Sequence, residues 1–137
     1  MKNAMQYVSF YGKDIDNVKP TGELMRRNVI LLNSDVIPNA PYFTFTWYLR
    51  TTEELQVQHT HDFDEIIGFV GSDPDDPENL NGVVEFMVDG EWVVLERSAV
   101  LFIPAGVKHC PYRISRLDKP IIHFSGAGVG VYRALQK

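Results

Sequence analysis

The chain has 137 residues, a length typical of one domain, and 45% of them are hydrophobic, as in ordinary globular proteins. Its 13 basic and 18 acidic residues give a net charge of −5, which is the wrong sign for nucleic-acid backbone binding, and its single cysteine excludes an intramolecular disulfide. No apolar run is long enough to span a membrane, and the amino terminus lacks the apolar stretch of a secretory signal. We therefore expect a cytoplasmic protein that binds neither nucleic acid nor membranes.

The first segment of the chain, residues 1–28, carries weak hydrophobic patterning. We expect it to form an amino-terminal arm that packs either on the rest of the domain or on a partner subunit. The remaining residues, 29–137, are predicted to form one compact domain.

Short β-rich runs separated by turn residues fill this second segment, and helical periodicity is scarce. An Asp89-Gly90 pair between two runs predicts a tight hairpin, because both positions of such a turn need positive φ. The acidic segment 71–82 predicts an exposed loop. This pattern favours an antiparallel sandwich or barrel, with strands at 29–32, 42–49, 65–70, 83–88, 92–95, 99–103, 108–114 and 120–124.

The run 42–49 alternates strictly, with Phe43, Phe45, Trp47 and Leu49 on one face. We expect this aromatic face to point to the interior. Trp47 is then either a core residue or a residue that contacts a ligand in the barrel.

Two short motifs hold three of the four histidines. In the first, His59, His61 and Glu65 are separated by even offsets, and side chains at even offsets along an extended chain project to the same side. The second begins at Pro104 and Gly106, a turn that would direct His109 inward from another part of the sheet.

Three neutral imidazoles and one carboxylate suit a divalent first-row transition metal, since no thiolate is needed to complete the set. Iron, manganese, nickel and zinc all accept these ligands. Four protein ligands would leave one or two open positions on an octahedral ion, which is typical of a catalytic or ligand-binding metal rather than a structural one.

These residues resemble the cupins, small β-barrel proteins whose two motifs read G-x5-H-x-H-x3,4-E-x6-G and G-x5-P-x-G-x2-H-x3-N. His59, His61 and Glu65 match the ligands of the first motif, and Pro104, Gly106 and His109 match the second. The departures lie at turn positions and beside the ligands: Glu53, Ser98 and Arg113 replace two glycines and the asparagine, and Gly71 comes one residue early.

The resemblance covers about residues 44–124. It implies a cupin-type antiparallel β-barrel, also called a double-stranded β-helix or jelly roll, one divalent metal ion per chain and a homodimer. Cupins include dioxygenases, isomerases and lyases as well as proteins that only bind a sugar or an organic acid. We therefore expect either a metal-dependent enzyme that acts on a small oxygen-bearing substrate or a non-catalytic binding or sensor module.

Four further residues receive alternative interpretations. Arg113 shares the parity of His109, so it either holds an anionic substrate group or forms a surface ion pair. His123 is either a hydrogen-bonded core residue or a catalytic base beside the metal. Alternation places Cys110 and Tyr112 on the face opposite His109. For Cys110 this favours a packed thiol over a thiolate ligand, and Tyr112 is expected to face outward.

Overall fold

The computed structural model describes residues 3–10, 17–18, 24–130 and 135–136. In these residues a short, exposed 3-10 helix precedes eleven strands. The elements are the helix Ala4–Tyr7 and the strands β1 (Asn17–Val18), β2 (Leu24–Leu32), β3 (Tyr42–Tyr48), β4 (His59–Thr60), β5 (Glu65–Gly71), β6 (Asn79–Val88), β7 (Glu91–Arg97), β8 (Ala99–Ile103), β9 (His109–Leu117), β10 (Ile121–Ala127) and β11 (Leu135–Gln136).

The strands form two antiparallel sheets. One sheet has the order β1-β2-β3-β10-β5-β8, and the other has the order β11-β4-β9-β6-β7. The connection between β4 and β5 passes from the second sheet to the first. This architecture confirms the predicted all-β fold. None of the helical residues in the described ranges forms a segment that could cross a membrane.

Apolar side chains from the facing sides of both sheets make the core, as the alternation within the strands predicts. In β6 the buried positions recur at every second residue from Leu80 to Phe86. The largest buried apolar side chains are Tyr48, Phe69, Leu80, Phe86, Ile103, Ile114 and Ile121.

The predicted hairpin joins β6 to β7. Asp89 has a φ of 49° and Gly90 a φ of 83°, and Val88 pairs with Glu91 across the turn. The left-handed backbone at both turn positions is the reason for the Asp-Gly sequence there.

The first sheet begins earlier than the predicted boundary at residue 29. β2 already starts at Leu24, and its residues Arg26, Arg27 and Asn28 pair with β3. This stretch of the predicted arm therefore belongs to the barrel. The predicted packing of the arm concerns residues 1–2, 11–16 and 19–23 as well, which lie outside the described residues.

The predicted inner face of β3 is wrong. Thr46 and Tyr48 are buried, whereas Trp47 is only half-buried and Phe43 stacks on Phe124 with ring centroids 6.3 Å apart. Alternation defines two faces of a strand but does not say which one meets the other sheet. Here the face with threonines and tyrosines points into the barrel, where it lines a polar cavity.

Candidate metal centre

Three buried histidines converge inside the barrel. His59 on β4 lies directly opposite His109 on β9, and His61 follows β4. Their potential ligand nitrogens all lie within 4.8 Å of one another, and each histidine is at most 2% exposed. Cross-strand pairing between two adjacent strands is thus what brings the two sequence motifs together.

Glu65 joins the histidines from the other sheet. It is the first residue of β5, is 3% exposed, and places Oε1 3.3 Å from Nε2 of both His61 and His109. The even offsets predict one extended strand through residues 59–65, whereas β4 ends at Thr60 and β5 begins at Glu65 in the other sheet. The predicted convergence is present, but it results from the crossing of the chain between the sheets.

Backbone hydrogen bonds tie the loops of the two motifs to each other. The Gly106 N–H donates to the carbonyl oxygen of His61, and the Ala105 N–H donates to the carboxylate of Asp64, both at 2.9 Å. Gly106 has a φ of 86°, a left-handed conformation that glycine adopts without strain. The Pro-Ala-Gly turn therefore fixes the loop before His109 relative to the loop after His61.

Hydrogen bonds also set the tautomers of two histidines. His59 Nδ1 donates to the carbonyl oxygen of Val57 at 2.6 Å, and His109 Nδ1 donates to that of Val107 at 3.0 Å. Because a carbonyl oxygen only accepts, Nδ1 of each ring carries a proton, and in a neutral ring Nε2 then carries a lone pair. Burial lowers the pKa of His59 below its ordinary value, which favours this neutral form.

Two atoms of the cluster that can each offer a lone pair are buried against each other. Among the described residues, neither His109 Nε2 nor Glu65 Oε1 has a hydrogen-bond partner, although both atoms are buried and lie 3.3 Å apart. Two buried acceptors that face each other are both desolvated and lack a hydrogen bond. This arrangement is unfavourable unless a cation lies between them. The three histidines and the glutamate thus fit a divalent metal ion and lie close enough to bind one.

A cavity of about 200 Å³ extends from this cluster into the barrel. Its walls are polar on the β3 and β10 side and more apolar near β6 and β9. The lining residues are Arg26, Asn28, Tyr42, Thr44, Thr46, Gln56, His59, Glu65, Ile67, Phe86, His109, Cys110, Tyr112, His123 and Ser125.

The side-chain alternation predicted for β9 is wrong beyond His109. His109 pairs with Val88 and Tyr112 pairs with Phe86, so β9 has one residue more than β6 in this interval. This bulge includes Cys110, whose φ is 72°, and it shifts the alternation of side chains by one position. Tyr112 therefore faces inward with 5% exposure, not outward.

The same shift turns Arg113 away from the cavity. Its guanidinium donates to Glu85 at 2.9 Å and to Glu54 at 3.5 Å, and it lies over the ring of Trp92, 4.9 Å from the centroid. Of the two interpretations of Arg113, the surface ion pair is the one the structure contains. Trp47 likewise does not line the cavity, because it lies on the other face of β3.

Cys110 is buried and lines the cavity, so its predicted placement opposite His109 is wrong. Burial, and to a smaller extent the charge of Glu65, raise the pKa of its thiol to about 12. A thiol that stays protonated is a poor metal ligand, in agreement with the predicted packing role.

His123 also lines the cavity, and its Nδ1 donates to the carbonyl oxygen of Gly68 at 3.0 Å. Its ring stacks on Phe69 with a centroid distance of 4.5 Å. Burial lowers the pKa of His123 to about 4, so the ring is neutral at pH 7 and its Nε2 is an acceptor. The predicted hydrogen-bonded ring is present, and the ring also lines the cavity.

Arg26 is the residue that sequence reasoning missed. It lies in the weakly patterned segment before residue 29, yet its side chain lines the cavity. The only signal in the sequence is that Arg26 and Asn28 occupy alternate positions of one strand, which place them on one face.

Comparison with known proteins finds no matching family model and no matching curated protein. Solved structures do match. A double-stranded β-helix protein from Klebsiella pneumoniae aligns with 93% of this chain and 96% of its own at a TM-score of 0.51 and 16% identity. KdgF from Halomonas sp. aligns with 88% of this chain and 94% of its own, at a TM-score of 0.50 and 15% identity. Peruvianin-I, a cysteine peptidase from Thevetia peruviana latex, aligns with 100% of this chain and 80% of its own, at a TM-score of 0.61 and 8% identity. At these identities the matches establish the fold alone.

Proposed function

This chain has the fold of the cupins, and we propose that it is a metal-dependent cupin that acts as an enzyme on a small oxygen-bearing organic molecule. His59, His61, Glu65 and His109 would hold one divalent ion. The observation that carries this proposal is the pair of buried acceptors, His109 Nε2 and Glu65 Oε1, that lie 3.3 Å apart without a hydrogen-bond partner among the described residues.

The cavity supports a small, polar substrate. Its volume of about 200 Å³ equals that of about seven water molecules and is below the range typical of drug-sized ligands. Hydroxyl and amide groups of Asn28, Thr44, Thr46 and Ser125 line one wall. Such groups bind and orient hydroxyl, carbonyl or carboxyl oxygens.

A divalent ion held by the four residues would supply Lewis-acid polarisation of a substrate oxygen. The chain itself supplies a proton acceptor of defined tautomer. Since His123 Nδ1 donates to Gly68, its Nε2 carries the lone pair at neutral pH, and its lowered pKa makes it a weak base that accepts a hydrogen bond more readily than a full proton. Glu65 is unsuited to this role because its carboxylate belongs to the metal cluster.

The alternative is a protein that binds a sugar or organic acid at the same site without turnover. Both readings need the metal and the cavity, so metal content does not separate them. They differ in the role of His123: replacement by asparagine abolishes turnover in an enzyme, whereas a binding protein has no turnover to lose.

Elemental analysis tests the metal site. Untagged protein purified without chelators is compared with the His59→Ala/His109→Ala double variant, and His123→Asn is the control because it changes a cavity histidine outside the cluster. We expect about one iron, manganese, nickel or zinc ion per chain in the wild type and the control, and none in the double variant. A wild type that stays metal-free after reconstitution with each ion would overturn the proposal.

The identity of the ion then directs the search for a reaction. Iron or manganese would direct it to oxygen consumption and isomerisation. Zinc or nickel would direct it to lyase chemistry or to binding without turnover.

A further inference from the structure

We infer that Arg26 is an anion-binding residue of the cavity and that the molecule bound there is an elongated carboxylate, with its carboxylate on Arg26 and a second oxygen group at the metal cluster. This inference rests on the proposed function and names the substrate class for the same site.

Strand pairing directs Arg26 into the barrel. It lies opposite Tyr48, and Asn28, two residues further along β2, lies opposite Thr46. Tyr48 and Thr46 are both buried on the inner face of β3. Side chains at directly opposed positions of antiparallel strands project to the same face, so Arg26 and Asn28 extend this inner face onto β2.

Two buried tyrosines hold the guanidinium. Arg26 Nη1 donates to the hydroxyl of Tyr48 at 3.1 Å, and that hydroxyl lies 2.7 Å from the hydroxyl of Tyr112. Tyr48 is 0% exposed and Tyr112 is 5% exposed, so the two rings are fixed by packing. Arg26 is therefore oriented by rigid groups. The Arg26 side chain then loses less conformational entropy when a ligand binds.

Within the described part of the chain, the hydrogen bond of the Arg26 guanidinium is the one from Nη1 to Tyr48. Among the residues that the structure describes, the buried Nε–H of Arg26 has no hydrogen-bond partner, and no carboxylate oxygen lies within ion-pair distance of its side chain. Arg113, by contrast, is paired with two glutamates. Arg26 lines the cavity, and a guanidinium without a carboxylate partner among the described residues matches the planar fork of a carboxylate.

The register of the sheet separates Arg26 from the metal cluster. Glu65 pairs with Ala127, and Ala127 pairs with Tyr42, whereas Arg26 pairs with Tyr48 at the other end of β3. Across the barrel the separation is shorter, because the Tyr48 hydroxyl that Arg26 contacts lies 2.7 Å from the hydroxyl of Tyr112. Tyr112 is three residues from His109 along β9, which is about 10 Å of extended backbone. One molecule that contacts both groups therefore carries its two oxygen functions at opposite ends of a short chain.

The paired residues of β3 and β10 that lie between Glu65 and Arg26 support an elongated ligand. Thr44 lies opposite Ser125, and Thr46 lies opposite His123, so hydroxyl and imidazole groups line the path from Glu65 to Arg26. Among the described residues that line the cavity, Glu65 is the only acidic one. The carboxylate end is consequently expected at Arg26, where a cation faces it.

A series of dicarboxylates of increasing chain length tests the inference. Binding of succinate, glutarate and adipate to the metal-loaded protein is measured by calorimetry and compared with that of butyrate, pentanoate and hexanoate. We expect one dicarboxylate to bind best, and Arg26→Gln to weaken its binding roughly 10- to 100-fold while the metal content is unchanged. Arg26→Lys keeps the charge without the fork and should give an intermediate loss.

Two further variants separate recognition from folding. Tyr48→Phe removes the hydroxyl that orients Arg26 and should weaken binding less than Arg26→Gln. Arg113→Gln changes an arginine outside the cavity and should leave binding unaltered. If Arg26→Gln fails to fold, Arg26→Lys and Tyr48→Phe carry the comparison.

The outcomes distinguish this inference from the proposed function. A wild type without metal overturns the proposed function. A metal-loaded wild type that binds none of the carboxylates, or binds them equally well in the Arg26 variants, overturns the inference alone. Equal affinity for mono- and dicarboxylates would overturn the two-ended geometry.

Discussion

The Glu65→Gln substitution is expected to have opposite effects on stability and on metal binding. In the metal-free protein, Glu65 Oε1 is buried and faces the lone pair of His109 Nε2 at 3.3 Å. An unsatisfied buried polar group costs about 1–3 kcal/mol. The side-chain amide of glutamine has the same shape and can donate a hydrogen bond to Nε2, so we expect the metal-free variant to be more stable than the wild type by about 1–3 kcal/mol.

Metal binding should weaken in the same variant, because an anionic oxygen ligand becomes a neutral one. Substitutions of groups that only orient metal ligands lower affinity about 10- to 100-fold, and a change in a direct ligand should cost at least as much. Stability is measured by urea unfolding in the presence of a chelator, and affinity by competition between the protein and a chromophoric chelator for Zn²⁺. Glu91→Gln, at an exposed position of β7, is the matched control and should change neither quantity.

Lower stability of metal-free Glu65→Gln, with Glu91→Gln unchanged, would refute the reasoning. It would mean that the Glu65 carboxylate is held by favourable interactions in the metal-free protein and does not need a cation. Unchanged affinity for Zn²⁺ would show that Glu65 is not a ligand.

Three other measurements test the structure. The pKa of His123 is about 4 in the folded state and 6.5 in the unfolded state, so the unfolded state binds the proton first as pH falls. The free energy of unfolding should therefore decrease by about 3 kcal/mol between pH 6.5 and pH 4. Urea unfolding of His123→Phe should lack this decrease, and an identical pH dependence in both proteins would contradict the assignment. Gly71→Ala places a Cβ against the carbonyl oxygen of Asn79 and should destabilise by about 1–3 kcal/mol in urea, whereas Gly128→Ala, which meets no atom within 4 Å, should not; equal values would contradict the close approach. The expected homodimer should appear in sedimentation equilibrium, and if it forms through the outer face of β8, where Phe102 is 60% exposed, Phe102→Asp should produce monomers; a wild-type monomer would refute the dimer itself.

The ligand set of the metal cluster could be predicted from the sequence because its information is local. His59, His61 and Glu65 lie within seven residues, and the Pro-Ala-Gly turn before His109 has a defined conformation. The Asp-Gly hairpin and the short strands are local in the same sense, since they depend on φ preferences and on alternation. These features suffice for the fold class and for four residues that converge.

The orientation of side chains relative to the barrel could not be predicted in this way. The polar face of β3 points inward because it lines a cavity that accepts polar groups. The aromatic face of the same strand points to the other side. One extra residue in β9 opposite β6 exchanges the positions expected for Tyr112 and Arg113. A bulge depends on the pairing of two strands, and no pattern within one of them reveals it.

The sequence alone thus determined an all-β domain and the four residues of its candidate metal centre, because turn chemistry and strand periodicity act over a few residues. Only the tertiary structure decided which cation faces the cavity. Arg26 is 33 residues before His59 in the chain and reaches the same cavity through the pairing of β2 with β3 and of β3 with β10. Contacts of this range arise from sheet assembly, where the register of several strands, and not the preference of any one residue, places the side chains.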